Sequence, residues 1–115
     1  MKIFFSKYFK NQLKKLKKKF PNIKEDLLKN LKEINLSKEI HIGRSIYKVR
    51  IKSSDQNKGK SGGFRSYVYL YQNKNLLVPL CIYHKSQRVS ITENELKYYF
   101  DKTIEPIREI TAIFP

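Results

Sequence analysis

Between Phe64 and Tyr71 the chain reads Phe-Arg-Ser-Tyr-Val-Tyr-Leu-Tyr, two chemistries interleaved with a period of two. Strand side chains alternate between faces, so Phe64, Ser66, Val68 and Leu70 point one way and Arg65, Tyr67, Tyr69 and Tyr71 the other. The first set requires a hydrophobic core beneath it. The second set, one arginine and three tyrosines, suits an anionic ligand that carries flat bases, and nucleic acid has that chemistry. A glycine-rich, lysine-bearing run, Lys58-Gly59-Lys60-Ser61-Gly62-Gly63, leads into this strand.

The same period occurs upstream, where Tyr47, Val49 and Ile51 alternate with Ile46, Lys48, Arg50 and Lys52, giving a strand with one apolar and one basic face. Downstream, Leu76 to Tyr83 is apolar on both faces, as a strand buried on both sides would be. Pro79 within it cannot donate to a ladder and predicts an edge position or a bulge. The N-terminal part is different. Lys2 to Phe5 can form a short strand, after which Phe9, Leu13, Leu16 and Phe20 mark the stripe of a helix. Pro21 ends that helix or opens the next, in which Glu25 and Asp26 suit the positive start and Ile23, Leu27, Leu31 and Ile34 form the buried stripe. Near the other end, Thr92 and Glu95 have the spacing of a capping box, ahead of Leu96, Tyr99, Phe100 and Ile104. Pro106 predicts a kink, or a separate short helix through Ile107, Ile110 and Ile113. The expected order is β-α-α-β-β-β-α over a single domain, residues 1–115. This is an α+β fold with an N-terminal helical hairpin packed on a mainly antiparallel sheet and a helix at the C-terminus.

Charge narrows the function. The net charge of +15 is concentrated early: residues 1–60 hold 18 Lys and Arg against 5 Asp and Glu, and residues 61–115 hold 7 against 5. Such a field attracts nucleic acid, an anionic membrane surface or an acidic protein. The excess of lysine over arginine also fits the coding bias of an AT-rich genome. Lys7, Lys10, Lys14, Lys15, Lys17, Lys18 and Lys19 lie on the first helix with no acid between them, which makes either a solvated face or one that meets RNA. The chain has one cysteine, Cys81, so a disulfide framework is not expected and a reducing cytoplasm is. No apolar run approaches the ~18–20 residues of a membrane span, and no secretory leader is apparent.

Several chemistries lack their residues. Gly59-Lys60-Ser61 looks like part of a P-loop, but Ser54 occupies the place of the first glycine and a strand follows where a helix is needed. What remains is a loop that approaches phosphate or a plain hairpin connection. No HExxH or Cys/His cluster exists, metal and glycosidase chemistry have nothing to stand on, and no metal or other cofactor is expected. The basic face is the stronger signal. If Lys48, Arg50 and Lys52 lie across from Arg65, Tyr67 and Tyr69 on an antiparallel pair, and Tyr83 and Lys85 join from the next strand, a cationic, tyrosine-rich patch results.

Taken together, Tyr47-Lys48-Val49-Arg50-Ile51, Lys58-Gly59-Lys60-Ser61-Gly62-Gly63-Phe64-Arg65, Tyr67-Val68-Tyr69 and Leu80-Cys81-Ile82-Tyr83-His84-Lys85-Ser86 resemble the RelE/ParE toxin superfamily, most closely its HigB-like branch. The resemblance implies a toxin of a type II toxin–antitoxin system. It would be a basic protein that enters the ribosomal A site, cleaves mRNA, and is neutralised by a cognate antitoxin, with a higher-order complex on operator DNA as a further implication. Carried over by position, Lys48, Arg50, Arg65 and Lys85 form the catalytic set. Lys52, Lys58, Lys60, Tyr67, Tyr69, Tyr83, His84 and Arg88 are the expected RNA-binding residues. His84 and Arg88 stand where that branch often has other residues, and both add positive charge. The chemistry expected of the set is attack by the RNA's own 2′-OH on the adjacent phosphate without a metal. Lys48 would serve as base or 2′-OH orienter, Arg65 would hold the phosphate, Lys85 or His84 would be the acid, and Tyr67 or Tyr83 would stack on a base. Two other readings stay open: an RNA- or ribosome-binding inhibitor that does not cut, and a ParE-like inhibitor of a topoisomerase.

Overall fold

The computed structural model describes residues 1–55 and 63–113, with backbone only for 108–113. The order along the chain is β1 (Lys2–Ile3), α1 (Lys7–Lys17), α2 (Ile23–Lys32), a 3-10 turn (Leu36–Lys38), β2 (Ile40–Gly43), β3 (Ile46–Ile51), β4 (Phe64–Tyr71), a second 3-10 turn (Gln72–Lys74), β5 (Leu76–His84) and α3 (Glu93–Ile113). The expected α+β arrangement is present, with β2 as an addition. The five strands form one sheet in the order β1-β5-β4-β3-β2, in which only the β1–β5 pair is parallel.

Each face of the sheet buries a cluster. On one face Phe9, Leu13, Phe20, Ile23, Leu27 and Leu31 of the helical hairpin meet Val49, Ile51, Phe64, Val68, Leu77 and Ile82. The helical stripes read from the sequence are these contacts. On the other face Ile46, Tyr67, Val78, Leu80, Cys81 and Tyr83 pack with Ile104 and Ile107 of α3. The sheet is therefore a middle layer, and α3 covers part of the face that carries Arg65.

Local chemistry fixes the ends of the elements. Ser6 caps α1 by accepting from Phe9 N at 3.0 Å. At the start of α3, Glu95 N donates to Thr92 Oγ1 (3.1 Å) and Thr92 N to Glu95 Oε1 (3.0 Å), the expected capping box. Pro79 sits at a bulge: Tyr67 pairs with Cys81 and Val68 with Pro79, leaving Leu80 as the extra residue of β5. There Gln12 of α1 substitutes for a strand, donating to Leu80 O (3.2 Å) and accepting from Ile82 N (3.1 Å), because two-residue β1 pairs only with Leu76 and Leu77. Pro106 does not divide the C-terminal helix, which runs unbroken from Glu93 to Ile113. Both Pro106 and Lys102, four residues before it, are exposed, so water can satisfy the carbonyl that loses its donor.

Candidate RNA-binding and cleavage site

Register assembles the site. In the β3–β4 ladder Arg50 lies directly across from Arg65 and Lys48 across from Tyr67; in β4–β5, Arg65 lies across from Tyr83. Arg50, Arg65 and Tyr83 thus form one row over three strands on the face opposite the helical hairpin. Opposed like charges destabilise a sheet, so this pairing is not explained by stability. Arg65 is 8% exposed whereas Arg50 is exposed, which sets one guanidinium in the floor and the other at the rim. Burial first, and then the charge of Arg50, lower the Arg65 pKa, although an arginine so placed stays charged. Its Nη1 donates to Phe64 O at 3.0 Å.

Lys48 is held on two sides. Its Nζ donates to Val89 O at 3.0 Å and lies 5.9 Å from the centre of the Tyr67 ring. The Tyr83 hydroxyl donates to the same Val89 oxygen at 3.2 Å. Tyr67 and Tyr83 are 4% and 6% exposed, with ring centroids 6.5 Å apart. They form the floor of the site, and their rings are not the open stacking platforms that the sequence suggests. Burial, followed by the neighbouring Tyr67, drives the Tyr83 pKa well above the ordinary phenol range. Tyr69 lies farther along the strand and packs edge-on against Phe100 of α3, centroids 5.1 Å apart, so α3 has taken the face expected to meet RNA.

The remaining expected residues divide. Lys52 and Lys85 are exposed at the end of the sheet nearest Arg50 and Arg65, and Lys85 N donates to Gly63 O at 3.1 Å, which extends the β4–β5 ladder by one step. Lys58 and Lys60 lie outside the described residues. His84 is a correction. Its ladder partner is Phe64, and strand alternation turns it to the hairpin side, where its ring stacks on Phe20 (5.0 Å, 6°) and meets Phe64 edge-on (5.3 Å). Its Nδ1 accepts from Ser86 N at 3.1 Å. A packed histidine behind the sheet is in no position to serve as the acid beside Arg65. Arg88 is tied into the loop after β5: its guanidinium forks onto Glu95 at 2.6 and 2.7 Å and its Nε donates to Ser90 O at 2.8 Å, so its charge is matched by a carboxylate. The Glu95 carboxyl is lowered to about 2, chiefly by Arg88 and then by the Thr92 backbone.

A cleft of about 950 Å³ joins this face to α2, lined by Lys48, Arg50, Lys52 and Arg65 and also by Asp26, Glu33 and Glu39. The patch is therefore not free of carboxylates at its far margin. Asp26 is already engaged by Ser54, whose N and Oγ donate to it at 2.8 and 3.1 Å. Sequence reasoning did not find the Val89 carbonyl, because a main-chain acceptor has no residue signature. The Arg88–Glu95 pair had a weak signal in the seven-residue spacing between a cation ahead of the capping box and the acid that closes it. Burial pushes the Cys81 thiol up to about 12, which leaves it without nucleophilic character. Among the described residues no group of three or more His, Cys, Asp or Glu comes together, and no helix is long and apolar enough to cross a membrane.

The family model described as "RelE toxin of RelE / RelB toxin-antitoxin system" matches residues 1–106. The chain belongs to the RelE toxin family. It is the toxin of a toxin–antitoxin system, and a cognate antitoxin is its partner. No curated protein sequence matches the chain. In this RelE-family toxin the residues expected to carry catalysis, apart from Lys85 at the strand end, lie on β3 and β4 of the sheet.

Proposed function

We propose that this toxin is a ribosome-dependent mRNA endonuclease of the HigB-like branch. The carrying observation is the direct opposition of Arg50 and Arg65 on the open face of the sheet, with Lys48 beside them. Two guanidiniums held together at a cost to stability are suited to a phosphate whose charge increases during reaction. In this reading Arg65 grips the scissile phosphate from the floor and Arg50 closes on it from the rim. Lys48 orients the attacking 2′-OH or takes its proton. The 2′-oxygen bonds to phosphorus as the bond to the 5′-oxygen breaks, leaving a cyclic phosphate and a 5′-hydroxyl. Lys85, exposed at the end of β5, supplies the proton to the departing oxygen, a role that falls to it because His84 faces the other way. Lys52 and the loop lysines Lys58 and Lys60 contribute long-range attraction to the RNA backbone.

Lysine is a weak acid–base catalyst at neutral pH, so the ribosome is expected to provide the bent mRNA geometry and free RNA to be cut poorly. The cytoplasm, where mRNA and ribosomes meet, is the site of action. The antitoxin is expected to present acidic residues to this face, and the pair to assemble further on operator DNA. Mapping of mRNA 5′ ends after brief induction in cells tests the reading. New ends within translated codons, absent for Arg65→Ala, support it. Growth arrest with intact mRNA points to binding without cleavage, and DNA damage in its place points to a topoisomerase target.

A further inference from the structure

The loop after β5 contains a connected set of contacts that the chemistry above does not use. Val89 is 86% exposed, yet its carbonyl accepts from both Lys48 Nζ (3.0 Å) and the Tyr83 hydroxyl (3.2 Å). The next carbonyl, Ser90 O, accepts from Arg88 Nε at 2.8 Å. Arg88 forks onto Glu95 at 2.6 and 2.7 Å and lies 6.0 Å from the centre of the Tyr83 ring. Glu95 at the same time accepts from Thr92 N at 3.0 Å, in the first turn of α3. A continuous path therefore runs from a helix terminus, through one ion pair and two peptide carbonyls, to a lysine on β3.

A lysine on an open strand face gives up rotamer freedom when it is held in one geometry. A carbonyl that is itself fixed removes that cost before substrate arrives. We propose that Arg88 and Glu95 are positioning residues for Lys48: their ion pair fixes the Val89–Ser90 backbone, and the Val89 carbonyl aims Lys48 Nζ over the Tyr67 ring toward the Arg50–Arg65 row. The consequence for cleavage rests on the endonuclease reading; the clamp on Lys48 does not. Arg88 acts through backbone in this role, which is distinct from the direct RNA contact expected of it from the sequence.

The test compares wild type with Arg88→Ala and Glu95→Gln, the second retaining a side-chain acceptor for Thr92 N, each verified as folded by circular dichroism. Dilute amine-reactive ester labels the lysines, and peptide mass spectrometry reports Lys48 relative to exposed Lys52. Loss of one ordinary hydrogen bond predicts Lys48 labelling about two- to tenfold faster in both variants. Single-turnover cleavage of ribosome-bound mRNA is expected to slow roughly tenfold or more in Arg88→Ala with ribosome affinity unchanged, and Arg88→Ala is expected to add no further loss in a Lys48→Ala background. Unchanged Lys48 labelling in folded variants overturns the clamp, as does a multiplicative loss in the double variant. Absence of cleavage by wild type overturns the endonuclease reading alone, and labelling then decides the clamp by itself.

Discussion

The opposition of Arg50 and Arg65 should be measurable as stored repulsion. The two are direct ladder partners, which places their Cβ atoms about 4.5–5.5 Å apart. With guanidinium centres taken as about 7 Å apart at an effective dielectric constant of about 20, the Coulomb energy is roughly 2 kcal/mol. Solvent at the exposed Arg50 end and ions screen this to about 1 kcal/mol at low ionic strength, and less at ~0.5 M salt. The perturbation is a double-mutant cycle with Arg50→Met and Arg65→Met, because methionine retains the apolar stem and removes the charge. Arg65→Met also loses the bond to Phe64 O, so the single variant mixes two effects and the cycle is needed to separate them. Urea unfolding at low and high salt reads the coupling. The expected result is a repulsive coupling of about 1 kcal/mol that shrinks with salt, while each single variant loses toxicity in cells. A coupling near zero or attractive at low salt, or a folded Arg65→Met that arrests growth as wild type does, refutes the argument that this pair is retained for an anion.

Other positions carry further expectations. A Cβ on Gly63 would collide with Ile51 O, a backbone atom, so Gly63→Ala should destabilise by more than ~2 kcal/mol in urea unfolding and lower toxicity in cells by shifting Arg65. Gln12→Ala leaves Leu80 O and Ile82 N without their side-chain partner and should cost about 2–4 kcal/mol in the same assay. Arg44 and Ser45 have φ of 52° and 61°, so Ser45→Gly should stabilise by about 0.5–1 kcal/mol, read as a higher thermal midpoint. Glu95 is depressed from 4.5 to about 2 in the folded protein. Its stabilising contribution is therefore complete above about pH 4.5 and disappears as pH falls toward 2. An acid titration of wild type against Glu95→Gln should show the two curves converge over that window.

Legibility followed periodicity. The stripes of α1 and α2 and the alternation of β3 and β4 depend on local spacing, and these became the core and the basic face. Strand β2 was hidden because its hairpin turn uses Arg44 and Ser45 at positive φ where Asn-Gly would have marked it. His84 was misread because its sequence neighbours, Tyr83 and Lys85, draw attention to a face that alternation denies it; the Phe64–His84 register decides the matter. Tyr69 was misread for a different reason. The sequence shows that β4 has a second face, but only the docking of α3 determines how much of that face stays open.

The open part of that face lies where the sheet is best anchored. Beyond Ile51 the chain is tied to α2 by Ser54 on Asp26 and by Asp55, which accepts from Asn22 N at 3.0 Å and Asn22 Nδ2 at 2.9 Å. Gly63 lets the start of β4 approach the Ile51 carbonyl, and Lys85 N continues the β4–β5 ladder onto Gly63 O. These contacts resist the fraying that two opposed guanidiniums would otherwise cause at a strand end, where ladders are weakest. They also explain why the cationic set is at this end of β3 and β4, while the other end, toward Tyr69 and Tyr71, is packed with the aromatic residues of α3. A site that must hold like charges close together needs a frame stiffer than the repulsion it contains, and these ties from α2 and β5 provide it at the residues flanking Arg50 and Arg65.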